Sequence, residues 1–442
     1  MNHYKKVRSS KMEPANRSGI YTQQESRRKI LFLCYRFPYP LIGGDRIKSY
    51  HLLKHLSGIC DVDLIALNEW DTGSGEALEH VCSFCNSVTV VPFTKNAAWL
   101  RVAASLASKL PIEMAWYNVP AMQKAVDAAI ASNKYDAVIC FFARTAIYVK
   151  DLTGIPKILI AEDSRLLADE RATKDFSFST EYFVRRIDAI KLRRYEPETM
   201  KKFSVTTFVA RPDEERVKAI DPALRTALLT NGVDLTYFDY CNTGREDALL
   251  FTGHLKIYHN EMMIRRIVER IYPMIRAQRP QTKLWIVGKE PVLAIRKMIE
   301  ATEGAELFAD VEDIRPFYRK AKLFIHPQEV GAGIQNKLLE SMAVGCPIIT
   351  TPVGASGIDG IINGMHVMVS ETDEEFVTTG LRLLGDDSER DWLSRNSRTL
   401  IERRYSWDHV FTSFDDIIEG FVPDFFPKSI SHHSISRHEA IT

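Results

Sequence analysis

The run GAGIQNKLLESMAVGCPIITT, residues 331–351, combines glycines, a lysine and one carboxylate at spacings that suit phosphate and hydroxyl binding. The Gly331–Ile334 turn precedes a helical pattern, and the free N–H groups at a helix start can bind a diphosphate where glycines leave room. Lys337 lies one turn further on. Glu340 follows Gly333 by seven residues, about two turns of helix, so we expect it to face a ligand on the turn and accept hydrogen bonds from two vicinal hydroxyls.

A surface role is the alternative for Glu340, because an i,i+3 ion pair with Lys337 would explain both residues without a ligand. The spacing of apolar residues predicts a helix that starts near Ile334 and ends at Gly345. From this run alone, the surface role is the simpler explanation.

A second glycine pair lies nearer the N-terminus, where Gly43 and Gly44 precede Asp45. Asp45 is predicted to cap a helix that begins at Arg46, and glycines at such a position let backbone amides approach a ligand. The same three residues fit an ordinary turn, so both interpretations stay open. The loop is not a G-x-G-x-x-G sequence, which argues against a dehydrogenase.

Short apolar runs alternate with helical patterns along the chain, and these elements must position the residues above. The first set of predicted strands is 29–34, 61–67, 87–92, 135–141, 157–161, 206–210 and 227–230. The second set is 248–253, 283–288, 305–309, 322–327 and 347–351. The sequence therefore predicts an α/β fold of two doubly wound, Rossmann-like domains whose post-strand loops face each other across a cleft.

Composition narrows the functional classes. The 442 residues are 45% hydrophobic and carry a formal net charge of +1, which fits two globular domains and argues against a nucleic-acid partner. The seven cysteines lie mostly in apolar runs, as expected in a reducing cytosol, and no cluster at metal-ligand spacing is evident. No stretch approaches the ~18 apolar residues of a membrane span, so we expect a cytoplasmic protein.

Several segments resemble the retaining glycosyltransferases of the GT-B fold, especially family 4. Lys337–Thr351 resembles the K-x-L-E-A-M-A-x-G-x-P-V-V-x-T run of the second domain of that family. Further matching segments are TNGVDLTYF (230–238), FTGHL (251–255), the base-binding-like stretch 307–327, RRYSWDHV (403–410) and the front segment 29–56. The resemblance extends over roughly residues 29–420.

The resemblance implies a domain organisation. It consists of a disordered tail (1–28), an acceptor-side domain (29–233), a linker (234–247), a nucleotide-sugar-binding domain (248–402), a helix returning to the first domain (403–422) and a second disordered tail (428–442).

The resemblance also assigns roles to the residues of the donor site. Glu340 would hold the ribose hydroxyls of a nucleotide-sugar, UDP- or GDP-linked, and Gly331, Gly333 and Ile334 would hold its diphosphate. Val311, in the base-binding-like stretch, is assigned to donor binding. The reaction implied is sugar transfer to an acceptor hydroxyl with retained anomeric configuration, without a cofactor or a required metal ion.

The sequence departs from the family pattern near the reacting groups. The first glutamate of the paired-glutamate motif falls on Ala332, and His254 stands where an arginine is usual. Arg144 is the nearest polar residue to the position of a missing histidine. We therefore assign His254, Lys256, Lys337 and Arg144 as the catalytic set, and Gly43, Gly44 and Asp45 as the acceptor-side loop.

The resulting hypothesis is a nucleotide-sugar-dependent transferase that acts on a glycan or lipid-linked acceptor in surface polysaccharide or glycolipid synthesis. Two alternatives stay open: a non-catalytic binding subunit of a polysaccharide complex, which Ala332 favours, and a nucleotide-sugar epimerase. Peripheral contact with the inner face of the cell membrane through 95–110 and the basic run 185–194 is a further expectation. The alternative for these segments is a core-packing helix beside a solvated one.

Overall fold

The computed structural model describes residues 5–8, 27–69, 73–172, 180–330, 333–423 and 425–426. As far as they are described, these residues form two compact units. Unit 1 comprises Met1–Phe208, Asp213–Leu229 and Phe411–Thr442. Unit 2 comprises Val209–Pro212 and Thr230–Val410.

Unit 1 is built on a sheet of eight described strands. They are β1 (Lys5–Arg8), β2 (Lys29–Cys34), β3 (Asp61–Asn68), β4 (Ser87–Pro92), β5 (Ala137–Phe141), β6 (Lys157–Glu162), β7 (Val205–Phe208) and β8 (Thr226–Leu228). Their spatial order is β1-β4-β3-β2-β5-β6-β7-β8, and only β1 runs antiparallel to its neighbour. The helices between them are α1 (Gly44–Ile59), α2 (Gly75–Cys82), α3 (Lys95–Ser105), α4 (Ile112–Tyr117), α5 (Pro120–Ser132), α6 (Arg165–Ala172), α7 (Thr180–Met200) and α8 (Arg211–Lys218), with a 3-10 helix at Ala143–Tyr148.

Unit 2 repeats the arrangement with six described strands. They are β9 (Glu246–His254), β10 (Lys283–Lys289), β11 (Ala305–Ala309), β12 (Ala321–His326), β13 (Ile348–Thr350) and β14 (Met368–Val369), in the order β11-β10-β9-β12-β13-β14 and all parallel. The helices are α9 (Tyr258–Arg266), α10 (Tyr272–Gln278), α11 (Leu293–Glu300), α12 (Arg315–Lys320), α13 (Asn336–Val344), α14 (Pro352–Ala355), α15 (Asp373–Gly385) and α16 (Asp387–Arg404), with a π-helical turn at Ile267–Ile271. Helix α17 (Trp407–Phe421) begins in unit 2 and continues in unit 1.

Both faces of the unit 2 sheet are buried. Leu249 and Phe251 of β9 belong to one core cluster, whereas Leu250 between them belongs to the other. Because successive side chains of a strand point to opposite faces, each cluster fills the space between the sheet and one layer of helices. This confirms the predicted class, two doubly wound α/β units, and every strand of both predicted sets is present.

Strand ends differ from the predicted ranges by one or two residues, and four larger differences concern other segments. Residues 5–8, expected to be disordered, form β1 and pair with β4. Helix α13 starts at Asn336, not near Ile334, because Gln335 is extended. Helix α17 starts at Trp407 and not at residue 403, because residues 403–404 are the last two of α16. Its residues from Phe411 onward belong to unit 1.

The fourth difference concerns 234–247, the expected linker, which belongs to unit 2. There, Arg245 donates to the carbonyl oxygens of Ala321 and Gly345, both at 2.7 Å. The expected tail 428–442 lies outside the described residues. Across the described ranges, no helix has the length and apolar character that a membrane crossing requires.

Candidate functional site

The strand order of unit 2 reverses between β9 and β12. The chain adds β10 and β11 on one side of β9, and then crosses to place β12, β13 and β14 on the other side. Ligands of open α/β sheets bind beyond the carboxyl ends of the two strands at such a reversal. These strands end at His254 and His326, so the loops that follow them mark the candidate site.

The turn before α13 follows β12 directly. Gly333 adopts a φ of 69°, which favours glycine, and a Cβ on Gly357 would lie 2.5 Å from the carbonyl oxygen of Gly333. The N-cap residue, Gln335, makes no side-chain hydrogen bond to the first turn of α13. That turn therefore offers backbone N–H groups to an anionic ligand. Gly331 and Ala332 lie outside the described residues.

Glu340 is the acidic residue of α13 and remains half-buried, although the adjacent Leu338 and Leu339 are buried. The Tyr318 hydroxyl of α12 donates to Glu340 Oε2 at 3.1 Å and also lies 2.8 Å from Thr252 Oγ1. Burial raises the pKa of Glu340, and the Tyr318 hydrogen bond opposes that rise only in part. Glu340 is thus a fixed, partly accessible carboxylate rather than a mobile surface residue.

Lys337 lies one turn before Glu340 on the same helix. Its Nζ donates to Asn260 Oδ1 of α9 at 2.6 Å and stands 4.8 Å from the centre of the Phe251 ring. Burial lowers the pKa of Lys337 to about 7, although the charge of Glu340 opposes the shift. An approaching phosphate would favour the charged ammonium, so this lysine is suited to binding an anion.

His254 ends β9, Lys256 follows it by two residues, and both side chains face the same carboxylate. His254 Nε2 is 3.9 Å from Glu290 Oε1, and Lys256 Nζ is 3.5 Å from Glu290 Oε2. Lys256 is exposed, whereas His254 is half-buried with its Nδ1 buried and without a hydrogen-bond partner in the described residues. The structure thus places two of the predicted catalytic residues together at the carboxyl end of β9.

Ile334 and Val311 pack against one core cluster of unit 2. Both are partly buried, Ile334 just before α13 and Val311 just after β11. Val311 follows Asp310, whose carboxylate accepts a hydrogen bond from the Glu290 N–H at 2.9 Å. The two predicted donor-binding residues therefore line post-strand segments of the same sheet.

Unit 1 brings Arg144 and Asp45 to one tyrosine. The guanidinium of Arg144 lies 4.4 Å from the centre of the Tyr35 ring, and the Tyr35 hydroxyl donates to the Asp45 carboxylate. Asp45 also accepts a hydrogen bond from Arg36 at 3.2 Å. These residues follow β2 and β5, the two strands at which the order of the unit 1 sheet reverses.

The predicted helix cap at Asp45 is wrong. Helix α1 begins at Gly44, its N-cap is Gly43 with a φ of 90°, and Asp45 lies in the first turn. The Asp45 carboxylate is engaged by Tyr35 and Arg36 and does not cap the helix, because it already lies inside it. The positive φ of residue 43 favours glycine at this position.

An ion-pair network holds Arg144 from the other side. Its Nε donates to Glu113 Oε1 at 2.5 Å, and Arg165 Nε lies 2.5 Å from Glu113 Oε2. Burial would raise the pKa of Glu113, but the two guanidinium groups hold it below its ordinary value. Arg144 is therefore a charged group with a fixed orientation.

Comparison with known proteins finds a family model that matches most of unit 2. Residues 246–386 match the family model described as glycosyl transferases group 1. Over this range, unit 2 is similar to the group 1 glycosyltransferases. The helix start, Lys337, Glu340 and His254 all lie within the matched range.

Two relatives and one solved structure extend the comparison to the rest of the chain. It is 22% identical over 402 residues to an uncharacterized 44.6 kDa protein in the cps region of Klebsiella pneumoniae, covering 87% of this chain and 98% of the relative. It is 26% identical over 120 residues to the capsular polysaccharide biosynthesis glycosyltransferase CapM of Staphylococcus aureus, covering 27% and 31%. Anabaena HepE in complex with UDP superimposes with a TM-score of 0.62 at 13% identity, covering 89% of this chain and 100% of HepE. The fold is GT-B.

Sequence reasoning missed three residues of the candidate site in unit 2. Tyr318 and Asn260 bind Glu340 and Lys337, yet each lies on a different helix from its partner and no spacing along the chain links them. His326 is buried at the end of β12, where its Nδ1 lies 3.1 Å from Thr350 Oγ1, and burial holds its pKa well below the ordinary value. A histidine that ends a buried apolar strand was the available signal for this residue.

Proposed function

We propose that the chain is a retaining glycosyltransferase that moves a sugar from a nucleotide-sugar to a hydroxyl of a glycan or lipid-linked acceptor. The names of its relatives support surface polysaccharide or glycolipid synthesis, since one is a capsular polysaccharide biosynthesis glycosyltransferase. The UDP bound to HepE supports a nucleotide diphosphate in the donor.

The observation that carries the proposal is the half-buried Glu340 held by Tyr318 beside the start of α13. A carboxylate fixed in this way can accept hydrogen bonds from the two ribose hydroxyls of a donor. The N–H groups of the first turn of α13 and Lys337 then bind the diphosphate.

Charge on the leaving diphosphate dominates the barrier to sugar transfer, and fixed positive groups near it lower that barrier. Lys337 supplies an ammonium at the start of α13, while His254 and Lys256 supply groups at the carboxyl end of β9. In unit 1, the Gly43–Asp45 loop is the predicted acceptor-side loop, and we propose that Arg144, predicted from the sequence as a catalytic residue, acts on the acceptor. The chemistry proposed needs no metal ion.

Incubation with a panel of radiolabelled UDP- and GDP-sugars, without acceptor, tests the proposal. A transferase slowly releases free sugar and nucleotide from one donor. Interconversion of donors would instead identify an epimerase. If every donor remains intact, the transferase proposal is wrong.

A non-catalytic binding subunit is the second candidate, and Ala332 at the position of the first paired glutamate favours it. Thermal-shift measurements with UDP and GDP distinguish a binding subunit from a chain that no longer binds a nucleotide. A binding subunit is stabilised by one nucleotide without hydrolysing its sugar conjugate, since a ligand that binds only the native state raises its stability.

A further inference from the structure

Two helices of unit 1 expose large apolar side chains to solvent. On α3, Leu100 is 74% exposed and Trp99 is 64% exposed, and Leu106 just beyond the helix is 59% exposed. On α7, Ile190 is 72% exposed, with Ile187 and Val184 on the same side of the helix at three-residue spacing. We call these six residues the α3–α7 surface.

On α3, smaller residues occupy the buried positions, whereas α7 buries Leu192 and Met200 as well as polar residues. Helix α3 buries Ala98 and Ser105 while Trp99 and Leu100 face solvent. Helix α7 buries Asp188, which accepts a hydrogen bond from the Ile112 N–H at 2.7 Å. The core-packing alternative for 95–110 is therefore wrong for Trp99, Leu100 and Leu106, whereas Leu110 packs against the core of unit 1.

The two parts of the surface are joined. Lys191 of α7 donates to the carbonyl oxygens of Ser105 at 2.8 Å and Leu110 at 3.4 Å, directly beside the exposed Leu106. The same turn of α7 carries Ile187 and Ile190 outward. Apolar side chains of both helices thus belong to one continuous region of unit 1.

The charges around this region are mostly positive, although the exposed Glu198 pairs with Arg194 at 2.7 Å and interacts electrostatically with Lys109. Residues 95–110 contain no Asp or Glu, and Asp188 is the only acidic residue of 184–195 and is buried. Lys95, Lys109 and Arg193 are exposed beside the apolar side chains. Apolar groups flanked by cations are the pattern of helices that lie in the interface of an anionic membrane.

We propose that the α3–α7 surface docks the protein peripherally on an anionic lipid bilayer. Trp99, Leu100, Leu106 and Ile190 insert among the acyl chains, while Lys109 and Arg193 bind headgroup phosphates. A second copy of the chain is disfavoured as occupant because like charges would face each other. The proposal does not depend on the transferase activity, although it would bring the chain to a lipid-linked acceptor.

Co-sedimentation of the full chain with phosphatidylcholine vesicles, with and without phosphatidylglycerol, tests this docking. We expect binding to the anionic vesicles only. The double change Leu100→Ser with Ile190→Ser should weaken it by on the order of tenfold per side chain. Lys109→Glu with Arg193→Glu should cost at least about tenfold on anionic vesicles, and high salt should have a similar effect.

Leu293→Ser is the matched control, since Leu293 is 67% exposed but lies in unit 2. This variant should bind vesicles like the unchanged chain, and the melting temperature of each variant verifies folding. Full binding by both double variants would overturn the proposal, as would absence of binding by the unchanged chain. If the serine variants abolish self-association in size-exclusion chromatography while vesicles are never bound, a second copy occupies the surface and the membrane proposal is wrong.

Discussion

The hydroxyl of Tyr318 donates to Glu340 Oε2 at 3.1 Å, although the two residues lie on different helices. The same hydroxyl lies 2.8 Å from Thr252 Oγ1 on β9, so it links α12, α13 and β9 at the point where the sheet order reverses. Because Tyr318 is fully buried, it holds the carboxylate in one position before any ligand arrives.

Glu340→Gln tests whether this carboxylate binds the nucleotide. The substitution keeps the size of the side chain but removes its charge, and a hydrogen bond to a charged group contributes about 1.5–3 kcal/mol. We expect the affinity for the preferred nucleoside diphosphate, measured by calorimetry, to fall by one to two orders of magnitude. Glu300→Gln, at an exposed position of α11, is the control. Unchanged affinity would exclude the assigned role of Glu340.

Lys337 should make nucleotide binding depend on pH. Burial lowers the pKa of this ammonium to about 7 in the free protein, and a bound diphosphate raises it again. Binding then takes up a proton above pH 7, so affinity should fall by up to about tenfold per pH unit as pH rises. Lys337→Arg, which stays charged, should bind with little pH dependence between about 7 and 9.

The same lysine gives a prediction for stability. The folded-state pKa of Lys337 is below its unfolded value, so above pH 7 the unfolded chain binds more protons at this residue. The free energy of unfolding attributable to Lys337 should therefore rise with pH above 7 and level off near its unfolded pKa, at about 10.4. Urea denaturation of Lys337→Met should lack this rise. A rise of equal size in that variant would show that other groups cause it.

Helix α13 shows which parts of the fold and of the candidate site the sequence predicts. The alternation of apolar runs and helical patterns predicts both sheets. A strand that is buried on both faces is a continuous apolar run, and such a run can be recognised in the sequence. Glu340 and Lys337 are identified because they lie on the same helix, three residues apart in the sequence. Tyr318 and Asn260 are not, because their contacts come from tertiary packing between helices.

Helix starts are less predictable than strands. Asp45 is a residue type that commonly caps helices, yet Tyr35 and Arg36 bind its carboxylate and Gly43 occupies the N-cap position. Local preference was overridden by partners ten and nine residues away. Network partners such as Glu113 and Arg165 likewise require the fold before they can be paired with Arg144.

Removal of divalent metal should leave the reaction unaffected. The proposed chemistry stabilises the leaving diphosphate with Lys337, Lys256 and the N–H groups of α13, which are part of the chain itself. Donor hydrolysis in excess EDTA should proceed at the rate seen with added Mg²⁺ or Mn²⁺. A rate that collapses with EDTA and returns with metal would refute metal independence while leaving the Glu340 assignment intact.

Arg144→Met should reduce sugar transfer to the acceptor without changing hydrolysis of the donor. Arg144 belongs to unit 1, where Tyr35 stacks on its guanidinium and Glu113 pairs with it, and its proposed partner is the acceptor. Sugar transfer to the acceptor should therefore fall at least tenfold, on the order of the loss of one charged hydrogen bond, while slow donor hydrolysis and nucleotide affinity stay unchanged. Arg225→Met, in the same unit but bonded to the Phe203 carbonyl, is the control. Because the change leaves Glu113 paired with Arg165 alone, the melting temperature of the variant must be measured as well. An equal loss of transfer and of hydrolysis would place Arg144 outside the acceptor site.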